Sequence, residues 1–284
     1  MKKFSTLNKH NLIIFFFGLI SFFGSIYQGS YIYDGFHWGL VSSNAQDFLN
    51  GKKPYKDFFV HYGFLTVLFQ SIALKIYNSV YSILILSAFF YSISIIFLAK
   101  LTQKFFSNNY VYLLIFIILF MQPFIVYPWH TYFIFFISII SILFFINKDD
   151  YSLFFLGFCL QLGFLFSESY KILSILMILI SLVIVFFQKD LFKKRIKKIL
   201  LIITGYLLPL ILFLIYLYSN NLVEAWVLHS KIPTIFIKEL DSNFINLIYN
   251  FILRYFFGSL KIISSSYFFL GLLINISCIL FLVI

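Results

Sequence analysis

Two Asp-to-His pairs stand near the start of the chain: Asp34 with His37 at a spacing of three, and Asp57 with His61 at a spacing of four. On a helix turn, side chains so spaced share a face. A carboxylate beside an imidazole can then pass protons near neutral pH. Asp34 lies between Tyr33 and Gly35. In a partly dry cleft it could act as a general base toward a hydroxyl or an amine; the same Asp-Gly step also suits an ordinary turn. Taken singly, each His reads as a hydrogen-bonded interfacial residue. Two Asp and two His could also hold a divalent metal, the weaker of the two chemistries, so no metal ligand is assigned. Further candidates are Trp129 and His130 in "YPWH", Glu168 and Lys171 in "SESYK", and His229 and Lys231 in "EAWVLHSK".

The elements that must position these residues are apolar. The 284-residue chain is 62% hydrophobic and only 11% charged, with 42 Phe, whereas a soluble domain is about a quarter charged. Apolar runs at 11–28, 80–101, 110–126, 131–147, 152–167, 171–188, 198–218 and 263–284 each suit a membrane span. The run at 11–28 follows Lys2, Lys3 and Lys9 but has no small-residue cleavage site, so it reads as a retained span rather than a signal peptide. Two shorter stretches, 63–77 and 244–258, would make helices of about 22 Å, short of a hydrocarbon core of about 30 Å. Cys159 and Cys278 both fall in spans and read as small apolar fillers. The expected fold is an all-α, polytopic transmembrane helical bundle of about eight or nine spans with outer juxtamembrane helices. It forms a single transmembrane domain over 1–284, with a first outer loop at 28–79 and a later outer segment at 219–262. The chain ends inside the apolar run "SCILFLVI", and a continuation past Ile284 is left open.

Charge sets the expected orientation, because Lys and Arg collect on the cytoplasmic side. With the N-terminus inside and 63–77 not crossing, twelve of the 21 basic residues face the cytoplasm, among them "KKRIKK" at 193–198. If 63–77 crosses, that cluster is turned outward. The first arrangement is preferred, and it puts 63–77 against the outer leaflet as a re-entrant or juxtamembrane helix. It also puts Asp34, Asp47, Asp57, Glu168, Glu224, Glu239 and Asp241 outside, with only Asp149, Asp150 and Asp190 inside. The net charge of +11 is thereby explained by orientation, and no nucleic-acid partner is expected. In the first outer loop Trp38, Val41, Ala45, Phe48 and Leu49 recur at helical spacing, with Ser42, Ser43, Asn44, Gln46 and Asp47 opposite. This predicts an amphipathic helix ended by Gly51 and Pro54, with its apolar face in the acyl boundary.

"YDGFHWG" followed by "NGKKPYKD" and "DFFVHYG" resembles the first outer loop of the GT-C glycosyltransferases, of the protein O-mannosyltransferase and aminoarabinose-transferase kind. It resembles more closely the glycosyltransferase-like membrane proteins of bacterial surface-polysaccharide clusters. Gly35 stands where that pattern often has Glu, and Tyr62-Gly63 where it has two prolines. The resemblance is sharp over 30–75 and looser to about 190, where "FLGFCLQLGFLFSESYKI" is similar to a Gly-rich span ending in a polar residue and Lys. The family's second outer motif, often acidic, is replaced by "YPWH". The resemblance implies a multi-pass protein of the bacterial inner (cytoplasmic) membrane with its active site facing the periplasm or exterior. The expected donor is a polyprenyl-phosphate-linked sugar, the acceptor a glycan, lipid or protein, and the outcome inverting. Asp34 takes the role of general base, with His37, Asp57, His61, Trp129, His130, Glu168, Lys171, His229 and Lys231 as substrate contacts. No cofactor is assigned, a divalent metal being the less favoured alternative.

Sugar transfer from such a donor needs positive charge for the departing phosphate. Lys171 is the first choice, since Lys binds phosphate as a compact charge; it could equally snorkel at the interface beside Glu168. Rival functions make different demands. A lipid-linked oligosaccharide flippase or other transporter requires a charged path across the bilayer, and the spans carry almost none. A polysaccharide polymerase is expected to carry an Arg-rich outer loop, and this chain has only Arg195 and Arg254. A non-catalytic membrane subunit is the remaining alternative.

Overall fold

A computed structural model describes residues 2–31, 35–121, 131–147, 149–188 and 191–230. Among them there is helix and no strand. The helices are α1 (Lys2–Tyr31), α2 (Gly35–Leu49), α3 (Phe64–Ile76), α4 (Val80–Thr102), α5 (Asn108–Met121), α6 (Thr131–Asn147), α7 (Asp150–Phe166), α8 (Lys171–Phe186) and α9 (Phe192–Ser219). A short 3₁₀ turn, Glu168–Tyr170, joins α7 to α8, and a further helix occupies 223–230. Three segments, Lys9–Tyr31, Val80–Thr102 and Phe192–Ser219, are long and apolar enough to cross a membrane. The stretches 244–258 and 263–284, with Cys278, lie outside the described residues. The chain divides into two compact units, 1–226 and 227–284; everything below concerns the first unless stated.

Side-chain contacts fix the helix directions. Ile14 of α1 packs with Ile95 and Ala99 of α4, while Gly29 meets Leu84, so α1 and α4 are antiparallel. On α4 and α6, Tyr91 meets Tyr132 and Phe97 meets Phe136, so these two are parallel and α5 is the return between them. On α7 and α9, Gly157 meets Ile202 and Leu165 packs with Phe213 and Leu217, again parallel, with α8 as the return.

Small residues make the tightest of these contacts. A Cβ at Gly157 would run into the Ile202 carbonyl oxygen, and one at Gly205 into that of Phe154. The two backbones touch at both points. With apolar surroundings on all sides, helices associate through close packing and interhelical hydrogen bonds rather than through hydrophobic burial. Ser92 supplies such a bond, its Oγ donating to the Gly18 carbonyl at 2.7 Å.

The directions separate the chain's chemistry into two ends. At one end lie Asp47, Asp57, His61, Glu168 and Lys171, with the chain segment 50–63 laid across the bundle as a strap. At the other lie His10, Lys100, Lys104, Asp149, Asp150 and the basic start of α9. There His10 bonds to the Tyr112 hydroxyl, Lys104 to Asn147 at 2.6 Å and Lys197 to Asp150 at 2.6 Å.

α3 stays at the strap end. Its first residue, Phe64, packs against Leu165, Phe213 and Leu217, and Leu74, near its end, packs against Ile83 in the first turn of α4. At about 20 Å long, it lies over the bundle and does not traverse it. Phe69, midway, joins Phe90, Phe133 and Phe166 in an aromatic cluster, Phe133 and Phe166 stacking at 4.7 Å. Cys159 is half-buried against the same cluster, a filler.

α2 stops where the sequence says it should. Gly51 adopts φ +82°, the left-handed conformation that a glycine enters without a Cβ clash. Lys52 N–H donates to the Asp47 carbonyl and Gly51 N–H to that of Phe48, a Schellman termination. The expected lipid contact of the α2 apolar face is corrected: Trp38, Val41 and Ala45 are buried against Leu74, Ile83 and Leu84. Asn44, expected on the polar face, is buried as well and donates to the Phe59 carbonyl at 2.9 Å. α2 therefore clamps the strap instead of floating in the interface.

The α7–α9 contact makes a direct test. Gly157→Ala and Gly205→Ala must each push two backbones apart, and overpacking of this kind costs about 1–3 kcal/mol. Gly24→Ala, where a Cβ meets nothing within 4 Å, is the control. Melting in detergent is expected to fall for the first two and not for the third.

Candidate functional site

The strap is built from a turn rather than a helix. Pro54 bridges to Phe58, Tyr55 N–H donates to the Phe58 carbonyl at 3.1 Å, and Asp57 Oδ2 accepts from Lys53 N–H at 2.7 Å. Tyr55 sits at φ +69°, a backbone region that is uncommon for a bulky residue and persists only where its surroundings hold it. Holding it are the strap's contacts with the ends of α7 and α9. Lys53 Nζ donates to the Asn220 carbonyl at 3.2 Å. Tyr55 packs in the cluster of Phe64, Leu165, Phe213 and Tyr216.

At its far end the strap is pressed onto backbone. A Cβ at Gly63 would lie 2.5 Å from the Leu165 carbonyl oxygen and 2.7 Å from the Phe166 carbonyl carbon. Beside that contact, Glu168 N–H donates to the Tyr62 carbonyl at 3.1 Å, and Thr66 Oγ1, fully buried, donates to the Phe166 carbonyl at 2.7 Å. These bonds use up polar backbone groups that the end of α7 and the start of α3 would otherwise leave unmet.

Glu168 is the residue this geometry changes most. Burial under the strap raises its carboxyl from 4.5 to about 7, and the Lys171 charge, three residues on, opposes but does not overcome the effect. Tyr55 is pushed well above the ordinary phenol value, first by burial and then by the Glu168 and Tyr216 charges, while the Phe64 backbone N–H draws it down. A carboxyl poised near neutrality can take up or release a proton at physiological pH. Lys171 is exposed, its Nζ 5.8 Å from the centre of the Phe164 ring, a cation–π seat that leaves the ammonium at the rim.

The sequence candidates divide as follows. Asp57, His61, Glu168 and Lys171 share the strap end. The spacing of four between Asp57 and His61 does not put them on one helix face, because no helix joins them. Asp57 instead caps the strap turn, and His61 is exposed, its ring against Phe59 and Tyr62. Asp34, Trp129, His130 and Lys231 lie outside the described residues, as does the side chain of His37. His229 belongs to the second unit. Among the described residues no three of His, Cys, Asp and Glu come together. Sequence reasoning missed Tyr55 and Tyr216 as parts of this site. Tyr55 is one of 20 tyrosines, and only its left-handed backbone sets it apart.

An apolar groove of about 500 Å³ opens beside the strap end, between α1, α3 and α4, bounded by Phe22, Phe69, Ile72, Ile76, Ile85 and Phe89. No family model, curated protein or solved structure matches the chain.

The Glu168 environment predicts a pH dependence of defined sign. A carboxyl that is harder to ionise in the folded state binds more protons there than in the unfolded chain between pH 4.5 and about 7. Stability therefore falls as pH rises through that window and levels off above it. Melting of the purified protein in detergent is expected to follow this course between pH 5 and 8. Glu168→Gln removes the ionisation and is expected to flatten the profile; a wild-type profile already flat would show that Glu168 is not desolvated.

Proposed function

We propose that this chain is a polytopic membrane glycosyltransferase of GT-C type, with about eight or nine spans and a cytoplasmic N-terminus. It moves a sugar from a polyprenyl-phosphate donor to a lipid, glycan or protein acceptor, with inversion, at the outer face of a bacterial inner membrane. One observation carries the proposal: Asp57, His61, Glu168 and Lys171 lie at a single end of the helical bundle, and an apolar groove between α1, α3 and α4 runs down from that end. Transfer of this kind needs such a meeting of polar groups with a surface for an isoprenoid chain.

In this reading Asp34 takes the proton from the acceptor nucleophile as it attacks the sugar's anomeric carbon. The bond from that carbon to the phosphate oxygen breaks, and the phosphate leaves with the electron pair. Lys171 offsets the developing negative charge. Glu168, near neutrality, is suited to hydrogen-bond a sugar hydroxyl as acceptor or donor.

The test uses the native host carrying Asp34→Asn, with surface glycans and polyprenyl-phosphate sugars profiled by mass spectrometry and the membrane level of the protein checked by immunoblot. Loss of a general base costs about 10²–10⁴ in rate, so a glycan should be lost and its lipid-linked donor accumulate at unchanged protein level. An unchanged profile would sink Asp34 as the base.

A further inference from the structure

The densest charge in the molecule lies at the other end, away from the strap. Residues 192–198 read "FKKRIKK" and form the first two turns of α9. Lys193 and Lys197, one turn apart, line a furrow of about 370 Å³ with Ile196, Leu200, Leu201 and Thr204. Lys197 and Leu201 also line a second furrow of about 500 Å³, completed by Asp150, Tyr151, Phe154 and Phe155 of α7. Each furrow is charged at the helix end and mainly apolar beyond it: in the first, Leu200 to Thr204 lie about 5–16 Å deeper along α9 than the two lysines, and in the second Phe154, Phe155 and Leu201 supply the apolar wall.

The charges there are positioned. Lys197 is held over both furrows by Asp150 at 2.6 Å. Arg195 donates to the Phe186 carbonyl at 2.9 Å with its guanidinium 6.0 Å from the centre of the Phe186 ring. Lys198 donates to Gln188 at 2.8 Å. Among the described residues, five basic side chains at 193–198 stand at the same end as two carboxylates, Asp149 and Asp150, so the local field stays positive.

We propose that this is a binding site for an anionic phospholipid, its headgroup phosphate on Lys193 and Lys197 and its acyl chains in the two furrows. A free phosphate would use the lysines and leave the apolar walls bare. A nucleic acid or an acidic peptide would do the same. Only an amphiphile meets both the charge and the depth, and a cluster of basic side chains at the end of an apolar helix suits acidic headgroups. The site is independent of the transfer chemistry at the strap end.

Native mass spectrometry of the full chain in detergent, titrated with dioleoyl phosphatidylglycerol and dioleoyl phosphatidylcholine, tests the proposal. The anionic lipid is expected to bind more tightly, with about fivefold lost per lysine neutralised. K193Q/K197Q should therefore bring it to the phosphatidylcholine level, whereas K100Q/K104Q, at the same end, should retain the preference. D150N releases Lys197 from its carboxylate and is expected to raise anionic-lipid binding, a gain that misfolding cannot imitate. Equal binding of the two lipids overturns the proposal. So does equal loss in K193Q/K197Q and K100Q/K104Q, which would mean diffuse attraction. Failure of D150N to raise binding removes Lys197 from the site, and displacement of the lipid by millimolar inorganic phosphate reassigns it to a free anion.

Discussion

The strap end is organised by one contact between backbones: Gly63 lying on the last carbonyls of α7. Everything else there follows from how close that approach is. It sets the depth at which α3 starts, and so carries Phe69 into the ring of Phe90, Phe133 and Phe166. It brings the Tyr62 carbonyl onto the Glu168 N–H. That bond holds the α7–α8 turn beneath the strap and keeps water from the carboxyl. A side chain at position 63 would open all three at once. The poised acid is thus a product of chain packing: burial raises it, and the Lys171 charge works against the shift.

Much of this was legible in the sequence, and the parts that were not share a cause. Hydropathy and charge marked the helices from α4 to α9 and the short segment at 63–77 as one that stays at its own end. Gly51 and Pro54 marked the end of α2. The direction of apolar faces was a different matter. In a chain where 62% of residues are hydrophobic, an apolar stripe does not reveal whether lipid or protein covers it. The face of α2 bearing Trp38, Val41 and Ala45 was expected to meet acyl chains and meets Leu74, Ile83 and Leu84 instead. Asn44 went wrong for the complementary reason: a polar side chain reads as surface until a backbone carbonyl, here that of Phe59, is seen to need it. Tyr55 was beyond reach, since its setting depends on α7 and α9, more than a hundred residues away.

The two ends of the bundle solve opposite electrostatic problems. At the basic end, charges stay solvated at the helix rims and are tied to carbonyls, an amide and Asp150, so that their fields add outward. At the strap end a single carboxyl is drawn inward and loses its charge near neutrality, while the cations Lys52 and Lys53 are tethered to Asp47 and to the Asn220 carbonyl. One end suits attraction over distance, the other proton exchange at short range.

The parallel pairing of α4 with α6 and of α7 with α9 bears on how the chain is made. α1 lies against α4 and α6 against α7 as soon as those helices are made, but the faces that α4 and α7 turn to their second neighbours have no partner then, nor when the next helix is complete. The aromatic face of α4 must wait through all of α5 before Tyr132, Phe133 and Phe136 arrive to cover it, and Gly157 must wait through α8 for Ile202. At these two faces consolidation therefore lags two helices behind elongation. During that interval α5 and α8, whose outward residues such as Leu113, Phe116, Leu176 and Leu179 remain exposed in the finished fold, serve as returns that bring the true partners back to the right end. The time between synthesis and docking, more than the strength of any one helix, is where assembly of this chain is open to error.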